Sequence, residues 1–352
     1  MAKYPEGKRR AIGPKFRVKK TANEDPSTYL LRTLLAASPY FVSGSILADR
    51  LKMTRVAVWG RIDKLRSEGI EIEAARNRGY RLEAEPDRLN KHLLEAWMRE
   101  RRTSCAVSVF DSLDSTNSEA ERQLATGRET PFAILANSQE KGRGRLGRRW
   151  HSPPAGNVYL SMAFRPEIPA FKLQLLTLWL GVRLCRLLRS ETGSDLMVKW
   201  PNDLVSGDRK TGGILTEASI DPERVLTLTF GLGLNVNSTP NRFTKDLKKI
   251  ANSLRNETGQ TFRLHELTAK IIECILLGYD ECLQGIDSRK LQREWEYLDA
   301  LSGRDVRIEL GKESIQGKVL GINNTGALKL KLRNGRTRTL CSGDVTLLKK
   351  ND

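Results

Sequence analysis

The spacing of hydrophobic positions divides the chain into three regions, and the first has a helical period. Between residues 28 and 82, apolar residues recur three and four apart, as with Val58, Ile62 and Leu65. Ser43 and Thr54 stand where helices would begin. Two strands, 70–74 and 80–82, follow the third helix. We predict a winged helix-turn-helix domain over residues 28–82.

The second region, residues 88–300, alternates strand and helix patterns. Residues 158–164 alternate as a half-buried strand does, and residues 171–189 form a long amphipathic pattern. Strands are predicted at 105–110, 132–137, 196–199, 203–205, 213–217 and 225–230, and helices at 88–101, 118–125, 243–254, 263–283 and 288–298. This pattern predicts an α/β domain with one mixed sheet covered by helices.

The third region, residues 301–352, contains short strands separated by turns, among them Asn334-Gly335, a strong hairpin signal. Regular spacing of such strands predicts a small SH3-like β-barrel. Residues 83–87 are predicted to be a linker. Residues 1–27 contain few apolar residues and are predicted to be a disordered basic arm. The fold class is therefore an α+β multidomain protein.

Charge and composition narrow the possible partners. Residues 1–27 hold 8 Lys or Arg against 3 Asp or Glu, and residues 28–82 hold 10 against 5, so residues 1–82 carry +10 of the net +18. This bias indicates a nucleic-acid-facing N-terminus. The five cysteines are scattered without a CxxC pair and there are only three histidines, which argues against a zinc site or a disulfide framework. Without an apolar run of 18 residues or a signal peptide, we expect a cytoplasmic protein that does not enter a membrane.

Five side chains of the first region are candidates for DNA contact. In helix-turn-helix proteins the second of the paired helices enters the major groove, so Arg55 at its start is the expected base reader. Trp59 and Arg61 are predicted to face outward from the same helix. Arg76 and Arg78 lie at the tip of the wing and would hold phosphates. The alternative is a small helical domain for protein contacts.

Four stretches of the second region carry candidate chemistry. The arginine loop, Gly142–Trp150, alternates glycines, which allow close backbone approach, with arginines, which suit phosphate and carboxylate oxygens. Taken alone, it could equally be a basic nucleic-acid tract. Asp114–Asn117 offers small polar groups, or merely a helix cap. The other two stretches are Lys199–Leu204 and Gly231–Asn237.

Together these motifs resemble the biotin–protein ligase family, in its bacterial form that is both ligase and biotin-operon repressor. The matching pieces are DSTN (114–117), GRGRLGRRW (142–150), KWPND (199–203), KTGGILTE (210–217) and GLGLNVN (231–237). The resemblance covers residues 28–349 and implies a class II synthetase-like central domain. Lipoate ligases share the fold but lack the pair formed by GRGRLGRRW and KWPND, and they also lack the N-terminal domain.

The resemblance implies a reaction in two steps and the residues that serve it. Biotin and ATP would form biotinyl-5′-adenylate, and a lysine of the biotin carboxyl carrier protein of acetyl-CoA carboxylase would then accept biotin. Lys199, Arg143 and Arg145 would stabilise charge, Trp150 would pack over the closed loop, and Asn202 would meet adenine. Mg²⁺ is expected with ATP, with Asp203 as its ligand. Biotin contacts fall to Ser115, Thr116, Asn117, Gln139, Arg143, Gly144, Arg145 and Lys199.

The resemblance further implies a homodimer when the adenylate is bound, and binding of that dimer to operator DNA. Two departures stand out: Leu348 occupies a place where the family often has an arginine that reaches the ligand, and Leu146 one that is often basic. The departure at Leu348 leaves open whether the barrel contributes to the site. Two alternatives stay open: a core that senses biotin without catalysis, and a ligase whose winged helix no longer regulates.

Overall fold

The computed structural model describes residues 24–285 and 287–348, so the predicted basic arm lies outside it up to residue 23. The winged helix-turn-helix consists of α1 (Pro26–Ala37), α2 (Gly44–Leu51), α3 (Arg55–Ser67), β1 (Glu71–Ala75) and β2 (Gly79–Ala84). Ser43 and Thr54 cap α2 and α3 by accepting from Ser45 N and Ala57 N. As predicted, the inward positions of α3 are buried in the core of this domain.

The first domain begins earlier than predicted. Asp25 is the N-cap of α1, and its Oδ1 accepts from Ser27 N at 2.7 Å. Glu24 is buried and pairs with Arg32 at 2.7 Å. Residues 24–27, assigned above to the arm, therefore belong to the folded domain, because a capping carboxylate and a buried ion pair hold them there.

One helix, α4 (Lys91–Glu100), joins the first two domains. Asn90 caps it by accepting from Leu93 N, so it begins three residues later than predicted. Leu93 and Ala96 belong to the core of the first domain, while Leu94 and Met98 belong to the core of the second. One face of α4 therefore packs in the core of the first domain, and the other face packs in the core of the second.

The segment predicted as a linker is also fixed in place. The buried carboxylate of Glu85 accepts from Trp97 Nε1 at 3.0 Å and lies 2.8 Å from His265 Nδ1. Nε2 of His265 accepts from Asn90 N at 2.9 Å. This chain of hydrogen bonds ties the connection between the domains to the second domain.

The second domain is built on one mixed seven-stranded sheet in the order β3-β4-β5-β9-β8-β7-β6. Strands β3 and β4 are parallel and the other neighbours are antiparallel. Its strands are β3 (Ala106–Phe110), β4 (Phe132–Ala136), β5 (Asn157–Phe164), β6 (Met197–Lys199), β7 (Asp203–Ser206), β8 (Arg209–Ile220) and β9 (Val225–Asn235).

Helices cover the sheet: α5 (Thr116–Ala125), α6 (Leu173–Thr192), α7 (Leu247–Ile250), α8 (Leu254–Thr258), α9 (Leu264–Gly285) and α10 (Ser288–Leu298). The single helix predicted at 243–254 is wrong. Ala251 is extended there, and Ser253 caps a separate helix by accepting from Asn256 N at 3.0 Å. No helix in the two described ranges is long and apolar enough to cross a membrane.

Strand β5 is buried along its whole length, whereas its alternating pattern predicted one exposed face. The reason is its central position, because α5 packs against it as well as α9. Small or weakly polar residues such as Ser161 are tolerated on it when they find hydrogen-bond partners.

The third region is a five-stranded antiparallel sheet of barrel type, in the order β13-β12-β11-β10-β14. Its strands are β10 (Asp305–Leu310), β11 (Glu313–Ile322), β12 (Leu328–Lys331), β13 (Thr337–Leu340) and β14 (Asp344–Leu347). Their apolar side chains join the core cluster of the second domain. Buried Trp200 donates from Nε1 to Gly326 O at 3.1 Å, which fixes the barrel beside the KWPND motif.

Candidate active site

The polar motif at the start of α5 lies over the middle of the sheet. Ser115, Thr116 and Asn117 are all buried. Ser161 Oγ, on β5, lies 2.8 Å from Thr116 Oγ1 and 2.5 Å from Asn117 Oδ1. A side chain at Gly231 on β9 would collide with Asn117, because its Cβ would stand 2.2 Å from Oδ1. The DSTN and GLGLNVN motifs therefore fit together only with glycine at this position.

The structure argues against a mere helix cap for this motif. Ser115 stands at the N-cap of α5, yet its side chain makes no capping hydrogen bond. Asp114 turns away to Arg122, and the hydrogen bond from that guanidinium lowers the pKa of the Asp114 carboxyl to about 2. The buried Ser115 hydroxyl does not serve the helix and is available to a ligand, whereas Thr116 Oγ1 contacts Gln139 and Ser161.

Gln139 connects this motif to the end of the arginine loop. Its Oε1 accepts from Thr116 N at 2.8 Å, and its Nε2 donates to Ser152 Oγ at 2.9 Å. The side-chain amide thus has a defined orientation, set by a donor on one side and an acceptor on the other.

The arginine loop folds back on itself as a narrow hairpin. Gly144 N donates to Arg148 O at 2.7 Å, and Trp150 N donates to Gly142 O at 2.8 Å. Leu146 at its tip has φ 54° and is 76% exposed, an unusual conformation for a leucine. The loop, with Leu215 and Glu217 of β8, lines a cavity of about 700 Å³.

Trp150 anchors the end of the loop on the sheet. A Cβ at Gly233 would stand 2.5 Å from the indole, and one at Gly213 would stand 3.2 Å from it. The Lys210 ammonium lies 5.3 Å from the ring centroid. The indole therefore lies against β8 and β9. The indole packs against two glycines, Gly213 and Gly233, a contact that the sequence analysis did not predict.

Two arginines of the loop have different surroundings. Nη2 of Arg143 donates to Glu217 Oε2 at 2.5 Å and to Glu121 Oε1 at 3.0 Å. Arg145 makes only long contacts, at 3.5 Å to Asn202 Oδ1 and 3.4 Å to Gly343 O. Burial lowers the pKa of Arg145, although nearby Asp203 opposes this effect. Arg145 remains a cation at any ordinary pH, and it is poorly solvated and weakly held.

Lys199 is the last residue of β6 and, like Arg145, lies close enough to Asp203 to feel its charge. Burial lowers the pKa of Lys199 below its ordinary value, the charge of Lys210 adds to this, and Asp203 opposes it. A partly desolvated ammonium interacts more strongly with an anion than an exposed one does, because less water screens it.

The residues proposed for nucleotide and metal contact are already engaged. Asn202 Nδ2 donates to Ile214 O at 2.6 Å, and Asp203 Oδ1 pairs with Lys210 Nζ at 2.6 Å. Within the part of the chain that the structure describes, no group of three or more His, Cys, Asp or Glu could hold a metal. A single carboxylate neutralised by a lysine is a poor fit for a resident magnesium ion.

The barrel reaches the arginine loop from its last turn, which answers a question that the sequence left open. Gly343 O accepts from Arg145, and the Asp344 carboxylate pairs with Arg148. Leu348, which stands where the family often has an arginine, donates from its backbone N to Asp305 O. The sequence carried no signal for the contacts of Gly343 and Asp344 with the arginine loop, beyond a glycine followed by an acidic residue.

The candidate DNA contacts fall into two groups. Arg55, Trp59 and Arg76 are exposed as predicted, with Trp59 54% exposed. Arg61 is half-buried and donates to Ser27 Oγ at 3.2 Å, so its predicted outward position is wrong. The guanidinium of Arg78 lies 4.1 Å from the centroid of the Phe41 ring, an intramolecular contact.

Sequence reasoning also missed one side chain on this surface. Val56, next to Arg55 on α3, is 76% exposed. The hydrophobic spacing of α3 identified its buried positions and its charged and aromatic side chains, but not this exposed valine.

Comparison with characterised proteins identifies the family. The chain is 33% identical over 319 residues to the bifunctional ligase/repressor BirA of Bacillus subtilis, covering 90% of this chain and 97% of the relative. It is 30% identical over 333 residues to the BirA protein of Escherichia coli, covering 92% of this chain and 98% of the relative. The chain belongs to the bifunctional biotin–protein ligase and repressor family.

Each domain contributes to this membership. Residues 27–81 match an HTH domain, residues 109–235 the biotin/lipoate A/B protein ligase family, and residues 301–348 the biotin protein ligase C-terminal domain. Among solved structures, the biotin protein ligase from Aquifex aeolicus in complex with biotin and ATP superposes with a TM-score of 0.61 at 28% identity, over 70% of this chain and 99% of that one. The three-part fold predicted from the sequence is confirmed.

Proposed function

We propose that the chain is an ATP-dependent biotin–protein ligase that also represses transcription in response to biotin. The observation that carries the ligase assignment is the way the arginine loop, which lines the cavity with Glu217, is connected to the buried polar motif. Glu217 contacts both Asn117 and Arg143, and Gln139 contacts both Thr116 and Ser152. Lys199 and Arg145 are both close enough to Asp203 to feel its charge. Those groups supply hydrogen bonds for a neutral heterocycle at one end and cations for phosphates at the other.

In the first step a biotin carboxylate oxygen attacks the α-phosphorus of ATP. The carboxylate oxygen forms a new O–P bond, the bond between the α-phosphorus and the oxygen that bridges to the β-phosphorus breaks, and its electron pair leaves with pyrophosphate. In the second step a neutral lysine amine of the carrier protein attacks the anhydride carbonyl, AMP leaves, and the amine loses a proton. Neither step needs a protein nucleophile, so catalysis rests on positioning and on stabilising charge.

In our proposal, Lys199, Arg145 and Arg143 each stabilise a different part of the developing negative charge or the loop near it. Lys199 holds the carboxylate and then the phosphoryl oxygens as charge shifts between them. Arg145, which is half-buried and weakly held, contacts the adenylate phosphate once ligand arrives. Arg143 lies at the base of the loop, where it stabilises the loop near the same charge.

The remaining contacts follow from position. Biotin would be bound by Ser115, Thr116, Asn117 and Gln139, with Gly144 allowing the loop backbone to approach. Trp150 would hold the end of the loop on the sheet. Asn202 would meet adenine through its Oδ1, since its Nδ2 is already bound.

Magnesium is best treated as part of the substrate. Mg²⁺ binds through phosphate oxygens and keeps several waters, so it would enter with ATP. Asp203 would approach it only after leaving Lys210, and we do not assign it as a resident ligand.

The repressor activity rests on the first domain. Arg55 would read a base edge and Arg76 a phosphate on operator DNA, with Trp59 beside them. Arg61 and Arg78 would act indirectly, by holding α3 against α1 and the wing against Phe41. We further propose that the adenylate-bound chain forms a homodimer. ATP, DNA and the carrier protein of acetyl-CoA carboxylase meet in the cytoplasm, where we place it.

Two assays run on the same protein test this proposal. The first measures biotin transfer to a carrier domain with ATP and Mg²⁺, and omits ATP as its control. The second measures the mobility of promoter DNA with and without biotin and ATP. Transfer that requires ATP supports the ligase, and a biotin-dependent shift supports the repressor. Biotin binding without transfer would leave only a sensing core, and transfer without a shift would leave a ligase that does not regulate.

A further inference from the structure

One carboxylate oxygen bridges the ligand-binding motif and the arginine loop. Glu217 Oε2 accepts from Asn117 Nδ2 at 2.7 Å and from Arg143 Nη2 at 2.5 Å. Asn117 lies on α5, Arg143 on the loop, and Glu217 on β8, so three separate elements meet at this atom. None of the roles assigned above belongs to Glu217.

The environment of Asn117 shows what the carboxylate does. Its amide is buried, and its nitrogen faces two acceptors, Glu217 Oε2 and Leu215 O, the latter at 3.3 Å. Its oxygen faces Ser161 Oγ at 2.5 Å. An ionised carboxylate only accepts hydrogen bonds, so it fixes which end of the amide points where. Without it, one long contact to a backbone carbonyl would remain to orient the nitrogen.

The environment of Arg143 shows the second effect of the same atom. Its guanidinium pairs with Glu217 and, at 3.0 Å, with the more exposed Glu121. Charge-assisted hydrogen bonds of this kind hold a guanidinium in one geometry. The base of the arginine loop is thereby tied to the floor of the cavity before any ligand is present.

We propose that Glu217 is a positioning residue that orients Asn117 toward biotin and, through Arg143, holds the arginine loop over the cavity. This rests on the proposed function, because it takes Asn117 as a biotin contact. The two effects are chemically separable. Orienting Asn117 requires an acceptor, whereas holding Arg143 depends on negative charge.

Two substitutions separate the effects. Glu217→Ala removes both the acceptor and the charge, and Glu217→Gln keeps a carbonyl acceptor without the charge. We expect Glu217→Ala to raise the KM for biotin about 10- to 100-fold, the usual effect of losing hydrogen bonds to a charged group, with a much smaller change in kcat. We expect Glu217→Gln to restore the KM for biotin to within about 3-fold of the unaltered chain, because an amide oxygen still accepts from Asn117.

Trypsin reports on the loop in the same variants, since the loop carries several arginines. Both Glu217 variants should be cut faster after Arg143 and Arg145 than the unaltered chain in the absence of ligand. Glu121→Gln is the matched control, because it removes an ion pair from Arg143 without touching Asn117. It should loosen the loop slightly and leave the KM for biotin unchanged.

The possible outcomes separate a failure of the proposed ligase function from a failure of the positioning role of Glu217. If the unaltered chain releases no biotin-dependent pyrophosphate, the proposed function itself fails. If the unaltered chain is active and Glu217→Ala keeps its KM for biotin and its loop cleavage rate, the positioning role is wrong. A KM in Glu217→Gln as high as in Glu217→Ala would also overturn it, because the acceptor would then have no effect of its own. Circular dichroism of each variant identifies any that fails to fold, and Glu217→Gln then carries the test.

Discussion

The arginine loop and the winged helix both present arginines, but the two regions surround them differently. In the loop, Arg143 and Arg148 are paired with carboxylates, and Arg145 is partly buried. On the winged helix, Arg55 and Arg76 are exposed. Cations fixed in a cavity suit one small anion bound in one geometry. Exposed cations suit a long polyanion, whose binding depends on salt through the release of counterions.

The largest effect should come from Lys199 of the candidate active site. Lys199→Met keeps the length of the side chain and removes its charge, so the shifting negative charge of the first step loses a fixed partner. We expect adenylate formation to fall about 10²- to 10³-fold, measured as biotin-dependent pyrophosphate release. Promoter DNA binding by the ligand-free variant should not change. A variant that retains the unaltered rate would show that Lys199 stabilises no charge.

A somewhat smaller effect should follow from removing the Arg145 side chain from the arginine loop. Arg145→Gly removes the guanidinium that contacts the adenylate phosphate in our proposal, so the adenylate should escape about 10- to 100-fold faster. Escape is measured as biotin labelling of a bystander protein. Leu146→Gly is the control, because it places a glycine next to Arg145, at φ 54° where glycine is relaxed. Equal labelling by both variants would assign the effect to loop flexibility.

On the exposed surface, Arg55→Ala should weaken binding to promoter DNA by about 1–3 kcal/mol if it reads a base edge. Ligation should persist, because Arg55 is outside the catalytic domain. Lys64→Ala, near the other end of α3, serves as the comparison. Gel mobility at fixed salt measures the difference. If the two variants bind equally well, Arg55 has no base-reading role.

The smallest effect should be a change in the salt dependence of DNA binding. Arg76→Ala should lower the slope of log affinity against log salt by about 1, since one phosphate contact is lost. The KM for biotin should barely depend on salt in the unaltered chain or in this variant, because biotin is small and carries a single carboxylate. A steep salt dependence of biotin binding would remove the distinction between the two surfaces.

The fold could largely be predicted because its signals are local. Ser43 and Thr54 marked helix starts by capping chemistry, and the Asn334-Gly335 turn marked a hairpin. The missed boundaries depended on tertiary contacts. Glu24 is held by an ion pair with Arg32, and β5 loses its exposed face because helices cover both sides of it.

The candidate site could be predicted only in part. Motifs named the residue types that gather there, yet could not say which would be engaged by the protein itself. Arg143 and Arg145 look alike in the sequence, but carboxylates 74 and 22 residues away occupy the first. The contact between Asp344 and Arg148 spans 196 residues, a separation that no local pattern reports.

Helix α4 gives the chain a mechanical property. Because its two faces complete two different cores, the DNA-binding surface cannot pivot freely about residues 83–90. Any cut in that segment would leave one fragment with an uncovered apolar stripe and the other with an incomplete core. Unfolding of either domain should therefore start the unfolding of its neighbour, and denaturation should proceed as one cooperative event across the boundary.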